Sequence, residues 1–171
     1  MTRWLTRFRV ALGFALAALV LVMARPAWPT WAAGAAIALC GEWLRLWAAG
    51  HLEKSREVTT SGPYRFTGHP LYMGSTLIGI GVAVASTSVV VAAIIAAYLG
   101  LTLSAARRSE EAHLREKFGD AYDAYVERRG STMTRRFSLE RAIRNREHHT
   151  IAGLLAGFAA LAWKIASGSR L

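Results

Sequence analysis

The chain has 171 residues, of which 53% are hydrophobic, with a mean hydropathy of +0.26 and a formal net charge of +10. In a soluble domain the charges would be spread over the surface, but here Arg and Lys fall between long uncharged segments. The composition therefore argues against a soluble domain and against a nucleic-acid-binding surface, and it favours a helical membrane protein.

The first two apolar segments predict two membrane-spanning helices. The first covers residues 10–24 and follows three arginines. Because further apolar segments follow immediately, a retained signal anchor is favoured over a cleaved signal peptide. The second runs from Trp28, whose indole suits the membrane interface, to Gly50. It contains the single cysteine, Cys40, which cannot form an intrachain disulfide and is interpreted as a packing thiol.

A long uncharged run from Pro70 to Ala106 predicts a helical hairpin. One straight helix at about 1.5 Å per residue would measure roughly 55 Å over this run, against a hydrocarbon core of about 30 Å. The run therefore divides into a third and a fourth span, with the turn expected at residues 86–88. Residues 151–166 predict a last span, so we expect an all-α, multi-pass protein with about five transmembrane helices.

The distribution of basic residues predicts the orientation of these helices. If the N-terminus, the loop 51–69 and the segment 107–149 face the cytoplasm, 17 of the 21 Lys and Arg residues lie on that side. The opposite orientation would leave only four of them there. By the positive-inside rule, the N-terminus and these loops are expected in the cytoplasm.

Two polar but patterned stretches follow the hairpin. Between residues 107 and 129 apolar side chains recur every three or four positions, which predicts one amphipathic helix. Glu111 and Arg115 are expected to pair on its solvated side. The Arg-rich stretch 137–149 is expected to lie against anionic membrane lipids.

A histidine and two acids at the ends of the hairpin could carry chemistry. His69 stands just before Pro70, and on spacing alone a boundary histidine that caps a helix or hydrogen-bonds in a loop is favoured. Glu110 and Glu111 follow the fourth span, where adjacent acids are usually a solvated helix start. A hairpin, however, returns both its ends to one interface, which would make His69 and Glu110 neighbours in space.

Other polar or small residues have structural as well as functional interpretations. Glu42 and Arg45 lie three positions apart on the second span, where a structural ion pair is slightly favoured over a substrate contact. Gly153 and Gly157 could form a homodimer seam or an intramolecular contact. The adjacent histidines at 148–149 have no acid or cysteine at matching spacing, so no metal site is expected.

Short motifs follow one another in order between Gly62 and Arg128. They are Gly-Pro-Tyr, His-Pro-x-Tyr-x-Gly, a hydrophobic hairpin, Glu-Glu-x-x-Leu and Phe-Gly-x-x-Tyr-x-x-Tyr. Together they resemble the isoprenylcysteine carboxyl methyltransferase and phospholipid methyltransferase superfamily. The resemblance implies an integral-membrane methyltransferase with residues 62–128 as its core. The chain is then one membrane domain, 1–171, in which residues 137–171 supply the basic segment and the last span.

The resemblance also implies roles for individual residues. The expected methyl donor is S-adenosylmethionine, and the positions implied to bind it are His69, Pro70, Tyr72, Gly79, Gly81, Glu110 and Glu111. His69, Glu110 and Arg107 are the implied catalytic residues, the last near an arginine that contacts substrate in the family. From the residues alone, the two glycines would be helix-packing positions. The family usually has an arginine before His-Pro, where this chain has Gly68, so Arg65 would have to replace it.

The implied reaction joins a polar donor to a lipophilic acceptor at the cytoplasmic face of the membrane. The acceptor is expected to be an isoprenoid or lipid that carries a carboxylate, an amine or a hydroxyl. A carboxylate needs no base, whereas an amine or phenol would lose a proton to His69 or Glu110. The alternatives are a non-catalytic membrane scaffold and a lipid reductase on a related scaffold. Membrane lipids are expected partners, and no nucleic acid is.

Overall fold

The computed structural model describes residues 13, 15–54, 56–129 and 133–168. Its helices, in chain order, are α1 (15–23), α2 (Trp28–Ala49), a 3-10 turn (Gly62–Arg65), α3 (Pro70–Ser86), α4 (Val89–Phe118), α5 (Asp120–Val126), α6 (Leu139–Arg144) and α7 (Glu147–Ala166). The described residues contain no strand, which confirms the all-α class. The N-terminal arginines Arg3, Arg7 and Arg9 lie outside the described residues.

The hairpin turns at the three residues that the sequence predicts. Pro70 occupies the first turn of α3, where its missing N–H is not needed. The helix ends at Ser86, and Thr87 adopts a left-handed backbone with a φ of 50°. Ser88 then caps α4, because its hydroxyl accepts a hydrogen bond from the backbone N–H of Val91.

Helix α4 continues past the uncharged run and ends at Phe118. Gly119 follows with a φ of 47°, a conformation that glycine adopts without steric cost, and the chain resumes as α5. The single amphipathic helix predicted over residues 107–129 is therefore wrong. Its first half extends α4, and its second half forms the separate short helix α5.

Helices α2 and α3 pack with their backbones in contact. A methyl group on Gly34 would collide with the carbonyl of Gly81, and one on Gly41 would collide with the carbonyl of Gly74. Small residues allow two apolar helices to approach this closely, so that dispersion contacts along both backbones stabilise the pair. This packing fixes the position of α3, whose first turn carries part of the candidate site.

Helix α7 packs against α2 through one aromatic and one ionic contact. Trp31 Nε1 donates a hydrogen bond to the carbonyl of Phe158 at 2.9 Å, and Arg45 Nε lies 2.7 Å from Glu147 Oε1. At the other end of α7, the Lys164 ammonium donates to two carbonyls near the end of α1. We refer to α2, α3 and α7 together as the frame.

Among the described residues, two helices are long and apolar enough to cross a membrane, α4 and α7, while α3 is apolar but shorter. Large apolar side chains on both helices point outward: Leu101 is 73% exposed and Trp163 is 66% exposed. Such a surface indicates contact with lipid rather than with water. The number of about five spans and their orientation stay predictions.

Candidate functional site

Both ends of the α3–α4 hairpin return to the same level, which brings the loop 61–69 against the end of α4 and against α5. His69 is the N-cap residue of α3, but its side chain makes no capping hydrogen bond and points to α4 instead. Of the two structural roles favoured for His69, helix capping is therefore wrong, and its imidazole is hydrogen-bonded to α4 instead. The structure brings His69 and Glu110 together as expected for a hairpin, with His69 Nδ1 lying 3.9 Å from Glu110 Oε2.

The carboxylate of Glu111 joins the two ends of the hairpin. Its Oε1 atom lies 2.9 Å from His69 Nε2 and 2.7 Å from Arg107 Nε. Because an ionised carboxylate only accepts hydrogen bonds, Nε2 of His69 is assigned as a donor, and Glu111 fixes the orientation of the imidazole. The predicted pair of Glu111 with Arg115 is wrong, because Arg115 binds Asp123 at 3.1 Å.

Glu110 lies beside the other nitrogen of the His69 imidazole, Nδ1. Tyr72 donates its hydroxyl to Glu110 Oε2 at 2.5 Å, and its ring stacks on His69 with centroids 5.4 Å apart and planes inclined by 14°. The His69 side chain is 16% exposed, whereas the Glu110 side chain is 43% exposed. The carboxylate of Glu110 is thus accessible to donor groups of a ligand, while the His69 imidazole stays shielded.

Two tyrosines that sequence reasoning did not assign to the site complete its wall. Tyr125 donates its hydroxyl to the carbonyl of Tyr64 at 2.9 Å, which ties α5 to the loop 61–69. Burial, with a smaller contribution from Tyr122, raises the pKa of Tyr125 to about 12, and burial raises the pKa of Tyr64 as well. Both hydroxyls therefore stay protonated at neutral pH. The Tyr-x-x-Tyr motif contains Tyr125 and was the signal that could have marked it.

Two cavities share this wall, which contains His69 and Tyr72. The first measures about 570 Å³ and has Glu111 as its acid; we call it the arginine-lined cavity after its basic residues, Arg65, Arg107 and Arg128. The second cavity measures about 510 Å³, and we call it the carboxylate-lined cavity. Its acids are Glu57, Glu110 and Glu147, and its basic residues are Arg45 and Lys54. The site thus has two chambers with different charge on either side of one histidine.

The other residues assigned by resemblance fall in different places. Pro70 lines the carboxylate-lined cavity. Gly79 packs against Leu99 of α4 and Gly81 packs against α2, and both lie outside the two polar cavities. The structure therefore gives these two glycines helix-packing positions, and a cofactor contact at either one stays a prediction. Gly68 lies on the wall of both cavities.

Gly153 and Gly157 of α7 leave open space where a side chain would stand, since a methyl group on either would meet no atom within 4 Å. Both line an apolar cavity of about 450 Å³ that α3, α4 and α7 share with α1. A homodimer through these glycines stays a prediction.

The structure resolves Glu42 and Arg45 into a buried cluster with a third residue that the sequence did not indicate. Arg45 lies 2.7 Å from Glu147 and donates to Ser75 Oγ at 2.6 Å and to Thr150 Oγ1 at 3.2 Å. Glu42 lies 3.8 Å from Arg45, and neither of its buried oxygens has a hydrogen-bond partner. Arg45 therefore joins α2 to α3 and α7, and its main partner is Glu147, far away in sequence.

Across the described residues, no group of three His, Cys, Asp or Glu side chains could hold a metal ion. The rings of His148 and His149 lie with their centroids 4.2 Å apart on the first turn of α7.

The sequence profile described as "Phospholipid methyltransferase" matches residues 8–121, two-thirds of the chain. The chain belongs to this family, which is part of the integral-membrane methyltransferase superfamily.

The chain is also similar to "Nickel-cobalt-cadmium resistance protein NccN" of Alcaligenes xylosoxydans xylosoxydans, with 36% identity over 86 residues. The similar region covers 49% of this chain and 40% of that protein, so the chain matches less than half of the relative's length. No solved structure matches the chain.

Proposed function

We propose that the protein transfers a methyl group from S-adenosylmethionine to a lipophilic acceptor at the cytoplasmic surface of a membrane. One observation carries the proposal: His69, fixed by Glu111 and stacked on Tyr72, lies in a wall between two cavities of different charge. A two-substrate reaction needs two chambers that meet at one point, because positioning of the reactants supplies much of the rate.

The carboxylate-lined cavity suits the methyl donor. S-adenosylmethionine carries a sulfonium and an ammonium against one carboxylate, and its adenosine adds hydroxyl donors. Glu110 offers an accessible carboxylate for such donors, and Lys54 offers a cation for the donor's own carboxylate. When bound, the cofactor would supply an electrophilic methyl carbon. The family membership supports this assignment.

The arginine-lined cavity suits the head group of the acceptor, and an adjoining apolar groove suits its chain. The groove runs between α3 and α4, measures about 600 Å³ and is lined by apolar residues such as Ile80, Leu99 and Gly100. Thr76 and Leu103 line both the groove and the arginine-lined cavity, so the two adjoin. A lipid acceptor could enter from the bilayer through this groove.

The residues of the wall would orient and shield the reacting groups. Glu111 holds the His69 imidazole in one orientation, and Tyr72 covers its face. A carboxylate acceptor would need no base. An amine or phenol acceptor would lose its proton to Nδ1 of His69, because Nε2 already donates to Glu111. Glu110 Oε2 lies 3.9 Å from this Nδ1 atom. Arg107 faces the arginine-lined cavity, where it would pair with an anionic group of the acceptor.

The proposal includes a multi-pass topology of about five spans, with the N-terminus and the site in the cytoplasm. The membrane-crossing length of α4 and α7 supports the multi-pass arrangement, and the concentration of Arg and Lys in the loops supports the orientation.

The direct test is to incubate the purified protein with methyl-labelled S-adenosylmethionine and a total lipid extract. We expect label in the organic phase; its release as volatile methanol in base would identify a methyl ester, and base-stable label would identify an amine or ether. Neither transfer nor cofactor binding would favour the non-catalytic scaffold, which Gly68 in place of the family arginine also favours. Cofactor binding without transfer would mean that the extract lacks the acceptor. Binding of a reduced nicotinamide instead would favour the lipid reductase.

The variant Glu110→Gln tests the assignment of the chambers. It keeps the shape of the side chain but removes a charge-assisted interaction, so cofactor affinity should fall about tenfold to a hundredfold. The matched control is Glu116→Gln, an exposed acid on the same helix that lines neither cavity. Wild-type cofactor affinity in Glu110→Gln would contradict the assignment of the donor to the carboxylate-lined cavity.

A further inference from the structure

The segment 133–146 is rich in arginine, and the structure divides these arginines into two groups. The inner group binds the loop after α2: Arg135 forms an ion pair with Glu57, and Arg141 lies 2.9 Å from Glu53. Asn145 strengthens the attachment, because its amide donates at 2.9 Å to the carbonyls of two residues at the end of α2 and just after it. One face of α6 is thereby fixed to the protein.

The outer group, Arg136 and Arg146, does not attach the segment to the rest of the protein. Arg136 and Arg146 are exposed, and no acidic side chain among the described residues lies within 4.0 Å of either guanidinium. Arg144 is shared between Glu53 and the exposed Glu140. The positive charge of Arg136 and Arg146 is therefore not neutralised within the described protein.

Apolar side chains accompany this outward charge. Leu139 is 59% exposed and Ile143 is 51% exposed, and a spacing of four places both on one face of α6. Ala142, in contrast, is buried on the face that is fixed to the protein. A short helix that exposes two large aliphatic side chains between unpaired arginines is poorly suited to water.

The position of α6 in the chain indicates what covers this face. The helix ends at Arg144, just before α7 begins at Glu147, and α7 is long and apolar enough to cross a membrane. The outward face of α6 therefore lies where the chain enters the bilayer. Aliphatic side chains at this level reach the acyl boundary, and guanidinium groups reach lipid phosphates.

We propose that Arg136, Leu139, Ile143 and Arg146 form a docking surface for the anionic phospholipids of the bilayer leaflet next to the site. The two arginines bind lipid phosphates, for which a planar guanidinium is well suited, and the two aliphatic side chains insert between the head groups. Glu140, whose side chain is 88% exposed on the same helix, limits the net charge of the surface, so both components are needed. The surface is independent of the methyl-transfer proposal.

The test uses the full chain in nanodiscs of phosphatidylcholine alone or mixed with phosphatidylglycerol. Hydrogen exchange of the amides of residues 136–146 is the readout. In the wild-type protein, phosphatidylglycerol should slow this exchange severalfold, and added salt should reverse the effect because the attraction is electrostatic. Equal exchange rates in the two lipids would overturn the proposal.

The double variant Arg136→Gln/Arg146→Gln should lose most of this severalfold dependence on phosphatidylglycerol, because it removes both charges that attract the anionic lipid. Its matched control is Arg115→Gln/Arg129→Gln, which removes two charges from exposed ion pairs at α4 and after α5. The control should respond to phosphatidylglycerol as the wild type does. A double variant that kept its response, or a control that lost it equally, would refute a specific surface.

A second variant, Leu139→Ser/Ile143→Ser, tests the apolar component. It should raise the exchange rate of α6 in both lipids while it leaves the salt dependence in place. Because all four side chains are exposed, neither double variant should change the thermal unfolding temperature of the protein. Unchanged exchange in this variant would show that α6 does not contact the bilayer.

Discussion

The two sides of α3 differ in how they are packed. Towards α2, the backbones touch at Gly34 and Gly81, and a buried ion cluster around Arg45 adds α7 to the frame. Towards α4, the helices touch where Gly79 meets Leu99 but leave a groove beside this contact, and Gly100 has open space around it. The same apolar hairpin helix is therefore closely packed in the frame on one side and lines the groove that we propose for the acceptor on the other. Substitutions at the glycine contacts on the first side should cost stability, and those in the groove on the second side should cost function.

The largest effect is expected at the ion cluster of the frame. Glu147→Ala would leave the half-buried Arg45 guanidinium without its main partner, which should lower the free energy of unfolding by up to about 3 kcal/mol, the low end for a broken buried pair. Denaturation in detergent, followed by circular dichroism, measures the loss. Glu140→Ala is the control, because that acid is almost fully exposed.

A loss below about 1 kcal/mol in Glu147→Ala would require that Glu42, which lies 3.8 Å from Arg45, replaces the missing partner. The stability of the frame would then depend less on α7 than we expect.

The next effect compares two glycines on the two sides. Gly81→Val would force a side chain against the backbone of α2 and should cost about 1–3 kcal/mol or prevent folding. Gly100→Val, in open space, should change the free energy of unfolding by less than about 0.5 kcal/mol. Equal losses in the two variants would contradict the difference between the two sides.

In the groove, we expect a substitution to change the KM for the acceptor without a change in stability. Gly100→Leu should fill part of it, raise KM for the lipid acceptor about tenfold and leave cofactor affinity unchanged. Gly153→Leu is matched in volume and also meets no atom, but it lies in the apolar cavity of α7. Steady-state kinetics on both variants would locate the chain of the acceptor. A rise in KM for Gly153→Leu alone would place that chain in the cavity of α7 instead.

The smallest effect is expected in the unfolding temperature of the protein at acidic pH. Partial burial raises the pKa of Glu53, but the hydrogen bond from Arg141 and the nearby charge of Arg144 outweigh it and leave this pKa below its ordinary value. A lowered pKa contributes stability above the unfolded-state pKa and loses it as the pH falls through the folded-state value. The unfolding temperature should therefore fall between about pH 5 and pH 3, and less steeply in Glu53→Gln. Identical profiles for the two proteins would show that this anchor of α6 contributes nothing measurable.

Much of the fold could be predicted because its signals are local. The uncharged run set the hairpin, and Ser88 with its hydroxyl set the start of α4. Contacts between distant residues could not be predicted, since no periodicity connects Arg45 with Glu147 across 102 positions. The break at Gly119 was missed because helical spacing continues on both sides of it, and only the positive φ separates α4 from α5.

The candidate site also combines features that the sequence predicted with features that it did not. The motifs that contain His69, Glu110 and Glu111 were visible in sequence, and a hairpin alone required their ends to meet. Which acid binds which atom was not visible. The structure assigns Glu111 to His69 Nε2 and Glu110 to the hydroxyl of Tyr72, because adjacent side chains on a helix point about 100° apart.

By itself, the sequence determined that this protein is helical, built around an apolar hairpin, and a member of a methyltransferase superfamily, because hydropathy and short motifs are local properties. Only the tertiary structure decided that His69 separates two cavities, that Gly81 packs a helix, and that α7 is held by Arg45. Those outcomes depend on which side chains meet across long stretches of chain, and van der Waals contact and ion pairing are settled only when the helices pack.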